Sequence, residues 1–246
     1  MRAARLVTGA AAGPDTLVLT AHGSADPRSA AVTRAVADQI RAMRPDLDVR
    51  VAFCEQNDPN LRQVLADVRS GVVSPLLLAD AYHARVDIPA LIAESGADVL
   101  RAGVLGEDDR LIHVLREQIE CLGVSRLDGA LGVLVTAVGS SRPDANARTA
   151  RVADAVREGT RWHATAAFAT GPRPTLQEAA DQLRRAGSTH LVIAPWFLAP
   201  GRITDRVAEF AHSAAIPMAQ PLGAHPLVAA TVLDRFDQAR AARAAA

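Results

Sequence analysis

Short apolar runs alternate with stretches of helical periodicity along this chain, starting at Leu17. The run from Thr16 to Ala21 predicts a first strand, and Val32, Val36, Ile40 and Met43 then recur at the spacing of one helix face. Asp26-Pro27 predicts the start of that helix, because Asp accepts a hydrogen bond from an unpaired helix N–H and Pro has none to lose. This alternation is typical of βαβ units with a mainly parallel sheet.

The same alternation continues up to about residue 120. The further elements that it predicts are a strand at Val49–Phe53, a helix opened by Asp58-Pro59 and ended by Gly71, a strand at Val72–Leu78, a helix starting at Asp87, a strand at Asp98–Val104 and a helix carrying Leu111, Leu115 and Ile119. We expect the four strands in the order 2-1-3-4, which is common in flavodoxin-like folds.

The pattern then begins again after a linker at Gly123–Gly129. Leu131–Ser140 matches Leu17–Ser24, and later landmarks recur at nearly the same offset of roughly 116 residues. The sequence therefore predicts two tandem flavodoxin-like α/β domains, residues 1–125 and 126–246, each a mostly parallel four-stranded sheet flanked by helices.

Composition excludes several classes of partner. Lys plus Arg and Asp plus Glu are equal at 27 each, and no basic run interleaves with aromatic residues, so we expect no nucleic-acid binding. The longest apolar run, 191–200, is interrupted by Pro195 and is too short to span a membrane. Cys54 and Cys121 lie far apart, which fits a reducing compartment. The apolar stretch of residues 1–9 is broken by Gly9, which argues against a signal peptide, so we expect a cytoplasmic protein.

Three polar residues follow the first three strands of the first domain and lack counterparts in the second. His22 follows strand one, Glu55 follows strand two and His83 lies in the loop after strand three; the repeat aligns them with Val138, Thr170 and Ile203. In the order 2-1-3-4 the carboxyl ends of these strands are neighbours. Two imidazoles and a carboxylate suit a divalent first-row metal. Alone, His83 reads as a surface histidine and Glu55 as a solvated charge, and Asp87 reads as a helix cap.

The chemistry of such a site has alternatives. The chain contains no G-x-x-x-x-G-K-[ST], G-x-G-x-x-G or G-x-S-x-G motif, so no organic cofactor is implied. A metal-dependent hydrolase would need a further group to activate water, and the sequence offers none. A metal-carrier or regulatory binding protein would use the same ligands without turnover.

The motifs carry a family likeness. The segments concerned are Leu17-x-Leu19-x-x-His22-Gly23-Ser24-x-Asp26-Pro27-Arg28, Val51-Ala52-Phe53-Cys54-Glu55, Tyr82-His83-Ala84-Arg85-Val86-Asp87-Ile88-Pro89 and Val104-Leu105-Gly106. They resemble the sirohydrochlorin chelatases, the class II tetrapyrrole chelatases that include cobaltochelatases and ferrochelatases. The sequence departs from that family at Ala81, where a glycine is usual, and at Asp80, an additional acid.

The resemblance implies insertion of a divalent metal, Fe²⁺ or Co²⁺, into sirohydrochlorin without ATP, in a cleft between two similar lobes. It makes His22, His83 and Glu55 the metal-binding and catalytic residues. Ser24, Arg28, Arg85 and Arg202 become candidates for binding the carboxylates of the macrocycle. On the broad family likeness we expect iron and sirohaem. Cobalt insertion for cobalamin biosynthesis and a non-catalytic metal- or tetrapyrrole-binding protein are the alternatives. We expect a monomer whose two lobes supply an internal pseudo-symmetry.

Overall fold

The computed structural model describes residues 15–80 and 83–245, and only the main chain of His83. Residues 1–9, whose sequence argues against a signal peptide, lie outside the described part. Two α/β lobes follow each other. The first contains β1 Thr16–Ala21, α1 Pro27–Met43, β2 Asp48–Phe53, α2 Leu61–Ala66, β3 Ser70–Pro75, a π-helical turn at His83–Asp87, α3 Ile88–Ser95, β4 Asp98–Arg101 and α4 Asp109–Glu120.

The second lobe repeats this order with fewer elements. It contains β5 Leu131–Ala137, α5 Pro143–Arg157, β6 His163–Phe168, α6 Leu176–Arg185, β7 His190–Pro195, α7 Arg202–Ser213 and α8 Pro226–Ala244. The predicted domain boundary after residue 125 stays a prediction.

The first sheet has the order β2-β1-β3-β4 with all strands parallel, which confirms the predicted order. Ala21 at the end of β1 pairs with Phe53 at the end of β2, and Thr20 pairs with Pro75 at the end of β3. The carboxyl ends of these three strands therefore meet at one edge. Pro75 is tolerated because it is the last residue of its strand, where a missing N–H breaks little of the ladder.

The second sheet has three strands, in the order β6-β5-β7, so the expectation of four strands was wrong for this lobe. Where the fourth strand was expected, the described chain makes only an isolated bridge between Ile193 and Met218. Pro217 and Pro221 flank this bridge. Since proline cannot donate to a ladder, the segment cannot continue the pairing in either direction.

Two predicted boundaries of α2 are corrected by the structure. The helix begins at Leu61 and not at Pro59, because the Asn60 side chain accepts from the N–H of Gln63 and the Gln63 side chain accepts from the N–H of Asn60. It ends at Ala66, and Gly71, the predicted helix end, lies inside β3.

The last helix of each lobe packs against the other lobe. Helix α8 contacts β3, β4 and α1 of the first lobe, whereas α4 contacts β7 and α5 of the second. Phe236 of α8 is fully buried in a core that includes Leu17 and Val72 of the first sheet. Arg235 of α8 binds the carboxylate of Asp108 at 2.8 Å, just before α4. The exchange ties the lobes together through both apolar packing and ion pairs.

None of the helices in the described part of the chain has the length and apolar character needed to cross a membrane.

Candidate functional site

A cleft of about 440 Å³ separates the two lobes at the carboxyl ends of their sheets. The first lobe contributes His22, Ser24 and Gln56 to its walls. The second lobe contributes mainly apolar groups, among them Val138 and Phe197. One wall thus carries polar groups that follow β1 and β2, and the facing wall offers an apolar surface.

Gly23 allows β1 and β2 to end in close contact. Its φ is +97°, a left-handed conformation that L side chains rarely adopt. A Cβ at this position would lie 1.8 Å from the carbonyl oxygen of Glu55. No side chain fits there, so the close approach of the two strand ends requires glycine. The contact keeps the main chain of Glu55 beside His22, whose carbonyl accepts from the Glu55 N–H at 2.9 Å.

Asn57 is a residue of this edge that the sequence reasoning missed. Its Oδ1 accepts from the N–H of Ser24 at 2.7 Å, and the Ser24 Oγ accepts from the N–H of Asp26 at 3.0 Å. The N–H of Ser24 therefore already has a hydrogen-bond acceptor within the protein, the side chain of Asn57. A signal for Asn57 was its place in the loop directly after β2, next to Glu55.

The predicted triad stays a prediction. His22 lines the cleft and is partly exposed, and Glu55 is exposed beside a second hollow of about 350 Å³. His83 begins the π-helical turn, at a position reached from the end of β3 through residues 76–82. Among the described residues no three His, Cys, Asp or Glu side chains are grouped to hold a metal ion. The His83 side chain lies outside that description, as do Ala81 and Tyr82.

Asp87 differs from its expected role. It occupies the N-cap position of α3, but its side chain makes no capping hydrogen bond and its backbone is helical, with φ −68° and ψ −49°. The π-helical turn runs directly into α3, so the helix does not start at Asp87 as a capped end. Single π-helical turns are frequent at functional sites. The carboxylate of Asp87 is therefore not used as a helix cap.

Cys54 directly precedes Glu55 after the end of β2, and its thiol is half-buried. Its Sγ is 3.9 Å from the Oγ1 of buried Thr20. Burial raises the pKa of the Cys54 thiol, and the negative charges of Asp87 and Glu55 add to the increase. The thiol is therefore protonated at neutral pH.

The corresponding edge of the second lobe is built in the same way with different chemistry. Gly139 has φ +93° and a Cβ there would lie 2.3 Å from the carbonyl oxygen of Thr170. The side chain at the position of His22 is Val138, which is 40% exposed toward the cleft. Thr170, at the position of Glu55, donates its hydroxyl to the Val138 carbonyl at 2.7 Å. The second lobe therefore supplies a wall without metal ligands at these positions.

The four candidate substrate-binding residues have different surroundings. Arg85 donates to Asp80, the additional acid of this sequence, at 2.7 Å. Arg28 binds Asp26 and reaches Asp205 of the second lobe at 2.6 Å. Arg202 lines the cleft and forms no ion pair within the described residues, and Ser24 lines it from the opposite lobe.

The hydrogen bonds from Arg28 lower the pKa of Asp26 to about 2, and the positive charge of Arg202 contributes further. Asp26 is thus ionised at every physiological pH. Its Oδ1 also accepts from the N–H of Arg28 at 2.9 Å, as the predicted cap of α1. The partial positive charge at the N-terminus of α1 therefore already has a carboxylate of the chain itself beside it.

Comparisons with known proteins agree with this architecture. The chain is 25% identical over 211 residues to a sirohydrochlorin cobaltochelatase of Priestia megaterium, covering 79% of this chain and 67% of that protein. It is 26% identical over 209 residues to a sirohydrochlorin ferrochelatase of the same organism, covering 79% and 77%. Both relatives are metal chelatases.

Solved structures show the same fold. The structure described as SirB from Bacillus subtilis with Fe³⁺ has a TM-score of 0.76 at 21% identity, with 92% of this chain and 95% of that chain covered. The structure described as CbiX, the terminal enzyme for biosynthesis of siroheme in denitrifying bacteria, has a TM-score of 0.66 at 20% identity, covering 92% and 99%.

The family model described as CbiX matches twice, at residues 16–122 and 132–239. The two matches agree with the tandem repeat and with the two sheets, and they confirm the resemblance drawn from the motifs. The chain therefore belongs to the CbiX family.

Proposed function

We propose that this chain is a sirohydrochlorin chelatase that inserts Fe²⁺ into sirohydrochlorin without ATP and yields sirohaem. The observation that carries the proposal is the asymmetry of the cleft between the lobes. His22 lies on one wall at the carboxyl edge of the first sheet, and Val138 and Phe197 lie on the other. A flat macrocycle that rests on the apolar wall presents one face to the histidine. Its carboxylates reach toward Arg202 at the same cleft.

In the proposed reaction the metal is a substrate. One Fe²⁺ enters the ring and two pyrrole N–H protons leave, so the chain must hold the ion and receive protons. We assign the ion to the neutral imidazoles of His22 and His83 and the first pyrrole proton to Glu55. The second proton goes to one of the imidazoles once it has released the ion to the ring. Histidine and carboxylate both exchange protons readily near neutral pH. The resemblance and the shared edge of β1, β2 and β3 support this assignment.

The proposal is tested by anaerobic absorbance of sirohydrochlorin mixed with Fe²⁺ or Co²⁺. We expect multiple turnovers with the native chain and a loss of at least about 100-fold in kcat/KM for His22→Ala and for His83→Ala, because each change removes one of the two imidazoles that hold the ion and even the outer-shell partners of metal ligands are worth about 10–100-fold. His212→Ala is the matched control, because His212 is an exposed histidine in the last turn of α7, away from the residues that line the cleft.

The same assay separates the alternatives. Faster turnover with Co²⁺ than with Fe²⁺ would replace the proposal by a cobaltochelatase. Binding of one equivalent of metal or macrocycle without turnover would replace it by a binding protein. No acceleration over the protein-free rate with either metal would refute the chelatase.

A further inference from the structure

An ion pair joins the two lobes at the rim of the cleft. The Nη2 of Arg28, in the first turn of α1, lies 2.6 Å from the Oδ2 of Asp205, in the first turn of α7. Ser24 and Ser29 beside Arg28 line the cleft, as does Thr204 beside Asp205. About half of each charged side chain is exposed, so a ligand at the rim can reach the pair.

Arg28 is held in this position by its own lobe. Its Nε and Nη2 both donate to the carboxylate of Asp26, and the side chain of Asp26 is only 12% exposed. A guanidinium gripped in this fork geometry keeps a fixed direction. Asp205 is therefore the second carboxylate on an arginine that already has one.

Arg202 brings a second guanidinium to the same rim, from the opposite lobe. Its charge acts on Asp26, and it forms no ion pair within the described residues. Two arginines and two aspartates thus stand together around the rim, with no net charge. An anionic ligand gains little from this group of charges as long as Asp205 stays on Arg28.

We propose that Asp205 competes with the carboxylates of an entering macrocycle for Arg28 and thereby sets how tightly the cleft holds a polycarboxylate ring. The inference rests on the proposed function, since it takes the ligand to be a tetrapyrrole that carries several carboxylates. A ring with carboxylates can replace Asp205 on Arg28 and engage Arg202 at the same time.

The strength of the pair suits this role. Exposed ion pairs shift an equilibrium by no more than about fivefold, so that a ligand carboxylate can displace Asp205 at small cost. Removing the charge of Asp205 leaves Arg28 with Asp26 alone and gives the rim a net positive charge. We therefore expect Asp205→Asn to bind a polycarboxylate macrocycle about threefold more tightly than the native chain.

The test is a fluorescence titration of the full, metal-free chain with uroporphyrin, an octacarboxylate macrocycle. Asp205→Glu keeps the charge and is expected to bind as the native chain does. Asp144→Asn is the matched control, because Asp144 also lies in the first turn of a helix and is half exposed, but pairs with Arg142 of its own lobe and not with an arginine of the other lobe. It removes the same charge and is expected to leave the Kd unchanged.

Unchanged or weaker binding by Asp205→Asn would overturn the inference, and so would equal tightening by Asp144→Asn, which would show an effect of net charge alone. Metal insertion is measured separately. A chain that inserts neither Fe²⁺ nor Co²⁺ but binds uroporphyrin more tightly as Asp205→Asn would refute the chelatase and retain the role of Asp205.

Discussion

At the carboxyl end of β1 the chain carries His22, and at the corresponding end of β5 it carries Val138. The backbone around both positions is the same, since Gly23 and Gly139 each take a left-handed conformation against a carbonyl of the neighbouring strand end. The repeat therefore preserves the residues that the backbone requires and varies those that face the cleft. One copy of the scaffold can carry ligands for a metal while the other provides an apolar wall.

The same contrast holds at the starts of α2 and α6. Asn60 and Gln63 form the capping box of α2, and Thr175 with Glu178 forms that of α6. The residue types differ, but each pair satisfies the same two backbone N–H groups. The capping positions must satisfy backbone N–H groups in both lobes, whereas Glu55 is exposed and its counterpart Thr170 bonds a neighbouring carbonyl, so the backbone does not dictate the residue type there.

The largest loss of stability is expected at the glycine that both lobes place just after their first strand. Gly23→Ala places a Cβ 1.8 Å from the Glu55 carbonyl oxygen, so the strand ends must separate, and we expect the free energy of unfolding to fall by more than about 4 kcal/mol. Gly139→Ala should destabilise the second lobe comparably. Urea unfolding measures both changes.

Gly159→Ala is the control for backbone conformation alone. Gly159 has φ +73° but nothing lies within 4 Å of its missing Cβ, so we expect a cost of about 1 kcal/mol. Equal losses in Gly23→Ala and Gly159→Ala would contradict the role of close approach.

The exchange of the last helices leads to the next prediction. Phe236 lies on α8 of the second lobe but packs in the core of the first sheet. Phe236→Ala should lower the free energy of unfolding by about 3–5 kcal/mol through the lost burial and the cavity left behind. Hydrogen exchange should show the loss of protection in β1 and β3. Unchanged hydrogen exchange in β1 and β3, with a loss of protection confined to β5 and β6, would contradict the packing of α8 in the core of the first lobe.

The smallest of these effects concerns Asp108, which links the two exchanged helices. It accepts from Arg110 of α4 and from Arg235 of α8, and its side chain is 12% exposed. The hydrogen bonds from Arg110 lower the pKa of Asp108 to about 2 from a usual 3.8. The folded-state pKa is below the unfolded one, so the stabilisation is present above about pH 4 and is lost as the pH falls toward about 2.

We therefore expect Asp108→Asn to cost about 1–2 kcal/mol at pH 7. The gap to the native chain should narrow as the pH falls from about 4 toward about 2. Urea unfolding over a pH series measures this difference. A gap that is constant with pH would show that the carboxylate does not act through its charge.

Much of the fold followed from local patterns. The bounds of β1 and α1 were predicted because alternation, an Asp-Pro start and a helical apolar face all agree over residues 16–43. The order 2-1-3-4 was predicted by analogy and is confirmed. The start of α2 was missed because Asp58-Pro59 imitates a helix start, while Asn60 with Gln63 provides the actual cap. A fourth strand was wrongly expected in the second lobe, because the repeat led us to expect pairing that two prolines prevent.

The sequence alone determined that this is a tandem α/β protein with candidate ligands on one lobe only. Hydrophobic period, helix caps and the repeat are properties of neighbouring residues along the chain, and His22, Glu55 and His83 stand out because the second copy lacks them. Only the tertiary structure decided which distant groups meet. The contact of Arg28 with Asp205 and the crossing of α8 onto the first sheet depend on how the lobes pack, and the hydrogen bond from Ser24 to Asn57 depends on how β1 and β2 end side by side within the first lobe. Such contacts join residues far apart in sequence, and no local pattern encodes them.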